Sequence, residues 1–286
     1  MTNQLLVLSD IHGQADLLLE ALLPHYHQGY ELVVLGDMFD RATPAGDSRV
    51  LAVLRAIQDD PDKYGFSKVT LLRGNHEDLL IKAIQSGPQS DDYDLWRYNG
   101  GDYHFYKEAV DHLDWLLSLP LYYVKDDYLF VHAGVVPGVP LEDQRPKDLV
   151  WIRDPFLTTE DHGLPYYVVH GHTPVEEVDV RDNRMCIDTG SFYSGNLSTV
   201  LLPTNWLMAK MKKFRGHCCG GGQQALQVVV EAINPPQARQ FLEARYPGYN
   251  QYYTSSEIHD WITLRPHRAL FFRLLFISIN LCVIYH

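Results

Sequence analysis

The chain has 286 residues, enough for one large domain or two small ones, with apolar and charged residues in the ordinary range for a globular protein. Its formal net charge of −12 excludes a broad nucleic-acid-binding face, because phosphate backbones attract basic surfaces, although a compact anion pocket needs only a few arginines and a metal. The four cysteines, Cys186, Cys218, Cys219 and Cys282, form no C-x-x-C pair, which argues against structural zinc and implies no oxidising compartment.

The opening MTNQLLVLSD has no basic stretch leading into a long apolar run, so no signal peptide is expected and the cytoplasm is the default location. Short apolar runs then recur along the chain, at residues 5–8, 32–35, 69–72, 128–131, 166–169, 185–187 and 199–202. Their apolar character on both faces predicts buried strands. Helical spacing fills the early gaps, in ADLLLEALLPHY (15–26), SRVLAVLRAIQ (48–58) and from residue 76 to 85. Strand and helix in alternation predict an α/β fold with a site at the strand ends.

Each early run ends in a polar cluster: SDIHG (9–13), GDMFDR (36–41), RGNHE (73–77), VHAG (131–134) and HGHTP (170–174). Singly, each has an ordinary explanation, since an Asp after a strand is most often a helix cap and a buried His is most often hydrogen-bonded core. Together they deliver Asp10, His12, Asp37, Asn75, His132 and His172 from five strand ends. Carboxylate, amide and imidazole are the groups that hard and borderline divalent cations take. Gly13 and Gly36 permit tight turns beside them.

Near residue 203 the character changes. KMKKFRGHCCGGGQQ (210–224) is basic, then glycine-rich, and reads as a linker. ALQVVVEAI (225–233) and ARQFLEAR (238–245) look helical, and the end, ALFFRLLFISINLCVIYH, is strongly apolar. Its uncharged run falls short of the roughly 20 residues a membrane-spanning helix needs. The expected division is a folded domain over 1–205, with 206–286 as glycine-rich linker and C-terminal extension.

In this order the clusters resemble the calcineurin-like metallophosphoesterases, in the phosphoprotein phosphatase branch with signatures GD-x-HG, GD-x-x-DR and GNHE. The bacteriophage lambda and bacterial serine/threonine phosphatase type is the most similar. WRYNGGDYHF at Trp96, LVWIRD at Leu149 and IDTGSFYSGNLS at Ile187 extend the likeness. The resemblance implies a mixed β-sandwich flanked by helices, in four layers α/β/β/α.

It further implies a first metal on Asp10 and His12, Asp37 as the bridge, and a second metal on Asn75, His132 and His172. Two divalent ions are implied, Mn²⁺ first, with Fe or Zn as alternatives. The implied activity is phosphomonoester hydrolysis of phosphoprotein (Ser/Thr, with Tyr as a further candidate) by direct attack of a hydroxide shared between the metals. His76 is the implied general acid, with Asp40 orienting it. Arg41 and Arg153 match substrate-phosphate arginines. Arg73 is a third candidate, its alternative being a structural ion pair with Glu77 or Asp40. Tyr193 is either near the site or a packing residue.

Two departures stand out. Ser9 replaces the usual Gly of the first signature, and Ala42 replaces a Gly after Arg41, which puts the loop in question if that position needs a positive φ. Pro174 stands where nuclease and cyclic-phosphodiesterase relatives carry a second His, which favours the phosphatase branch. Two other readings remain. One is symmetrical cleavage of dinucleoside polyphosphates of the diadenosine tetraphosphate type at the same site. The other is a non-catalytic scaffold whose tail docks a partner. Phosphoprotein or a phosphorylated small molecule is the expected partner, nucleic acid is not, and membrane contact through the apolar tail is left open.

Overall fold

Four apolar runs of the chain meet in one sheet, the first three each followed by a polar loop and a helix. The computed structural model describes residues 4–203, 212–219, 226–232 and 251–256. The chain divides into two compact units, Met1–Thr204 and Asn205–His286.

In the first unit β1 (Leu5–Leu8), β2 (Glu31–Val34) and β3 (Lys68–Leu71) run parallel, and β9 (Thr199–Leu202) closes the sheet antiparallel, in the order β3-β2-β1-β9. The crossovers carry α1 (Ala15–Leu22) and α2 (Pro44–Asp59), with α3 (Pro61–Tyr64) after them. The second sheet has the order β4-β5-β6-β8-β7, from β4 (Tyr122–Lys125), β5 (Tyr128–Val131), β6 (Tyr167–His170), β7 (Asp179–Val180) and β8 (Arg184–Cys186). Its central strands β5, β6 and β8 are parallel and its edge pairs antiparallel. Two mixed sheets flanked by helices make up the fold, as the resemblance implies.

Both faces of the central strands are buried, as the sequence pattern requires. Leu6, Leu8, Leu32 and Val34 join a core with Leu18, Leu54 and Phe39 on the helical side, while Leu5, Val7 and Val33 on the opposite face are equally buried. On the second sheet Leu129, Val131 and Val168 pack with Leu149 and Phe156. Burying each such side chain contributes about 1.5–3 kcal/mol.

From β3 to β4 the chain makes α4 (Asn75–Ser86), α5 (Asp91–Tyr98), α6 (Tyr103–Val110) and α7 (Leu113–Ser118); α8 (Pro146–Trp151) follows β5, and the short α9 (Ser191–Ser194) follows β8. The predicted strands appear within about one residue of their expected ends. The sequence pattern did not single out β4 or β7. Both lie at a sheet edge, and β4, YYVK, is only partly buried, so neither carries a continuous apolar run.

The second unit differs from expectation. The expected linker contains a strand, β10 (Lys212–Cys219), and ALQVVVEAI forms β11 (Leu226–Ala232) rather than a helix. Both pair antiparallel in the order β11-β10-β12, with β12 at Gln251–Ser256. The consecutive valines at 228–230 are stiff at χ1 and favour a strand over the helical period. ARQFLEAR and the apolar end lie outside the described residues. Among the described residues, no helix is long and apolar enough to cross a membrane.

Candidate active site

The loops after β1, β2, β3, β5 and β6 converge. Asp10, His12, Asp37, Asn75, His76, His132 and His172 are all buried, none more than 6% exposed. Asp37 is the hub. Its Oδ1 accepts the His76 backbone N–H at 3.0 Å and lies 3.3 Å from His132 Nε2, while Oδ2 lies 3.7 Å from His12 Nε2 and 3.9 Å from His76 Nε2. Asn75 Oδ1 faces His132 Nε2 at 2.9 Å and His172 Nδ1 at 2.8 Å. Asp10 accepts the His172 backbone N–H at 3.1–3.2 Å. All six expected ligands are therefore brought together.

The backbone shows what this convergence costs. Eight non-glycine residues among those described have positive φ, and six are expected site residues: Asp10, His12, Asp37, Asp40, Arg41 and His172. Each such residue costs on the order of 1–3 kcal/mol, and strain of this kind gathers at functional sites. Ala42 is not among them. The left-handed positions are Asp40 and Arg41, so the Ala in place of Gly leaves the loop unstrained at that point. Close approach also needs glycine: a Cβ on Gly36 would stand 2.4 Å from Gly74 N, where the β2 and β3 loops touch.

The donor set fits divalent cations. His12 Nδ1 faces the Phe39 carbonyl and His132 Nδ1 the Leu35 carbonyl, each at 3.0 Å, which assigns the proton to Nδ1 and leaves Nε2 as a lone pair. His132 Nε2 nevertheless faces two oxygens, Asn75 Oδ1 and Asp37 Oδ1, an arrangement that calls for a cation between them. Burial favours the neutral His132 ring, but the Asp37 carboxylate outweighs it and pushes the ring up to about 9 without a metal, so a cation bound at Nε2 would take the place of that proton. Burial lowers His12 and His172 to about 3 each, so both stay neutral, as ligands must. Burial opposes the charge on Asp37, yet His132 and His76 hold its carboxyl well below the usual range. Burial and the Asp188 charge raise Asp10. His12, Asp37 and His76 form one group with ligand atoms within 4.8 Å, and Asp37, His132 and His172 form another.

His76 differs from the other rings. Its Nδ1 lies 2.8 Å from Asp40 Oδ2, and its buried Nε2 has no hydrogen-bond partner. Burial alone would lower it, but Asp37 and Asp40 leave it raised above its usual value. Asp40 is itself fixed by the Trp96 indole N–H, 3.0 Å from both its oxygens.

The three arginines separate. Arg41 reaches His12, Nη1 to Nε2 at 3.2 Å, and lies over the Phe192 ring at 4.9 Å. Beyond it a groove of about 380 Å³ runs past Gln14 and Thr43 to Arg49. Arg153 touches the His172 carbonyl at 3.5 Å. Arg73, expected at substrate or in an ion pair with Glu77 or Asp40, instead donates to the Leu117 carbonyl at 2.7 Å, at the end of α7. The reason lies in its neighbours. Glu77 is taken by the backbone N–H groups of Asp37, Met38 and Gly74 at 2.8–2.9 Å, and Asp40 by His76 and Trp96.

Four contributors escaped the sequence reading: Glu77 as the clasp between the β2 and β3 loops, Trp96 as the support of Asp40, Asp188 beside Asp10, and Phe192. All four sit inside stretches quoted above, RGNHE, WRYNGGDYHF and IDTGSFYSGNLS, so those stretches were the available signal. Ser9 supplies a hydroxyl that the usual Gly lacks, and donates to Asp10 Oδ2 at 2.5 Å. His170 packs against Phe156 at 5.0 Å, away from ligation.

Two mixed sheets flanked by helices, with an Asp-centred histidine cluster at the strand ends, define a hydrolase of the metal-dependent phosphoesterase class. The sequence profile of the calcineurin-like phosphoesterases matches residues 4–205, and the chain belongs to that family. It is 28% identical over 214 residues to serine/threonine-protein phosphatase 2 of Escherichia coli (strain K12), covering 67% of this chain and 89% of that protein. It is 26% identical over 239 residues to the asymmetrical bis(5'-nucleosyl)-tetraphosphatase PrpE of Anoxybacillus flavithermus, covering 69% and 89%. Among solved structures, a cold-active protein-tyrosine phosphatase of a psychrophilic Shewanella species shares the fold, with a TM-score of 0.52 at 19% identity over 72% of this chain and 76% of that one.

Proposed function

We propose that the protein is a metal-dependent phosphomonoesterase acting on phosphoprotein, at serine or threonine and also at tyrosine. The observation that carries this reading is Asp37, whose two oxygens face two separate groups of histidines. Asp10, His12 and Asp37 would hold one cation, and Asp37, Asn75, His132 and His172 the other. Bound there, two divalent ions, Mn²⁺ by resemblance with Fe or Zn as alternatives, supply Lewis-acid polarisation of the phosphoryl group and make water a stronger nucleophile near neutral pH.

The chain's own groups do the rest. Arg41 and Arg153, on two sides of the cluster, receive phosphoryl oxygens and balance charge that builds in the transition state. His76, oriented through Nδ1 by Asp40, presents its free Nε2 to the departing ester oxygen and gives it a proton. Water's oxygen takes the place of that ester oxygen on phosphorus. A cytoplasmic location belongs to the same reading.

A second reading, hydrolysis of dinucleoside polyphosphates at the same site, draws support from the likeness to the tetraphosphatase relative. Purified protein with Mn²⁺ should hydrolyse p-nitrophenyl phosphate and members of a phosphopeptide panel faster than diadenosine tetraphosphate. Turnover of the nucleotide alone would reverse the ranking, and no turnover of any of them would remove the catalytic reading.

A further inference from the structure

One side of the metal cluster is walled by aromatic rings that the mechanism does not use. Phe192 and Tyr193 sit on α9, which is preceded by Gly190 in the left-handed region with φ +68°. A Cβ on Gly190 would stand 2.2 Å from the Tyr193 ring, so the missing side chain is what lets that ring lie on the backbone. Tyr193 in turn meets Phe192 edge to face at 4.9 Å, and Phe192 meets His12 edge to face at 5.4 Å. Arg41 lies over Phe192 at 4.9 Å. The rings are thus held from below and from the side, yet Phe192 is 37% and Tyr193 62% exposed. Exposed aromatic surface that is rigidly held next to a cation and a buried polar cluster is a built recognition surface.

We propose that Phe192, backed by Tyr193, is a specificity-determining residue that selects phosphate monoesters whose ester oxygen is bonded directly to an aromatic ring, namely tyrosyl phosphate within a peptide. The inference rests on the phosphomonoesterase reading above and narrows its substrate class. A phosphoryl group received by Arg41 beside His12 lies next to the Phe192 ring, because both residues touch that ring, with its ester oxygen toward His76, whose ring lies 4.8 Å from that of His12. In a tyrosyl phosphate the substrate's ring follows that oxygen directly and covers Phe192. In a seryl or threonyl phosphate one tetrahedral carbon follows, then polar backbone, and the two rings stay wet. In a nucleoside polyphosphate, ribose and further phosphates separate the base from the reacting phosphorus, which carries the base past Phe192. The groove beyond Arg41 gives the residues flanking a phosphotyrosine room to leave the site.

The test uses the full chain with Mn²⁺ and two peptides of one sequence, bearing either phosphotyrosine or phosphothreonine. A phenol is intrinsically the better leaving group, so the informative quantity is how the ratio of the two kcat/KM values changes between variants. Phe192→Leu should lower the tyrosine-to-threonine ratio by roughly three- to ten-fold, the range an aromatic pair contributes, mainly through KM. Phe192→Trp, which keeps a ring, should hold the ratio. Thermal melting of both variants checks that they fold. An equal loss on both peptides would assign Phe192 to supporting Arg41 alone and overturn the proposal, as would an unchanged ratio in Phe192→Leu. Faster turnover of diadenosine tetraphosphate that depends on Phe192 would overturn it in favour of a nucleobase. Wild-type protein inert toward both peptides and p-nitrophenyl phosphate would remove the underlying phosphomonoesterase reading instead.

Discussion

His76 Nδ1 lies 2.8 Å from Asp40 Oδ2, with both side chains buried and the opposite ring nitrogen left without a partner. A histidine held at one nitrogen and free at the other is fixed in tautomer and direction, which is what a proton donor needs. His76→Asn should keep both metals and lower kcat by about 10²–10⁴. Metal analysis and kcat on one preparation check this, and normal turnover would remove His76 from the acid role. Asp40→Asn removes one of the charges that raise His76, so the alkaline limb of its pH–rate profile should move to lower pH.

Ser9 gives this chain a hydrogen bond to Asp10 that a glycine cannot make. Groups that orient a ligand from behind typically affect metal affinity 10- to 100-fold. Ser9→Gly should weaken Mn²⁺ at one of the two sites by about ten-fold in a calorimetric titration. Unchanged affinity at both would make the hydroxyl incidental.

Asp47 is buried under the same loop, with Oδ1 accepting the Asp40 backbone N–H at 3.0 Å and Oδ2 unpartnered. Burial, then the Asp40 charge, pushes its carboxyl from 3.8 up to about 8. A carboxyl raised on folding stabilises the fold fully below its unfolded value and loses that contribution as pH rises through its folded one. Asp47→Asn keeps the acceptor and removes the titration, so its gain in Tm over wild type should be larger at pH 8.5 than at pH 5.5. Each ~1 kcal/mol would appear as about 2–4 °C for a domain of this size. A gain independent of pH would show that Asp47 is not titrating.

What the sequence made legible follows from how local each signal was. Strand-end clusters point to candidate ligands because apolar run and polar loop are adjacent in the chain, and Asp10, Asp37 and Asn75 stood out through the joint occurrence of the clusters rather than one by one. The contact of Arg73 was not legible because its partner, the Leu117 carbonyl, lies 44 residues away with no side-chain signature. Glu77 was read only as a counter-ion, since its three backbone donors leave no trace in composition. Phe192 drew no reading of its own, because its contacts with His12 and Arg41 exist only in the fold. The positive φ raised as a question at Ala42 falls instead on Asp40 and Arg41, where the Arg41 N–H donates to the Gly100 carbonyl. In the second unit the helical spacing of ALQVVVEAI lost to its β-branched residues once β10 offered a partner strand.

The central claim is that Asp37 joins two cation sites. Anomalous diffraction from crystals soaked in Mn²⁺ tests it most directly. Two peaks about 3.5–4 Å apart, one on each Asp37 oxygen, with His76 Nε2 on neither, is the result the account predicts. A single peak, or a manganese ion ligated by His76, would contradict it.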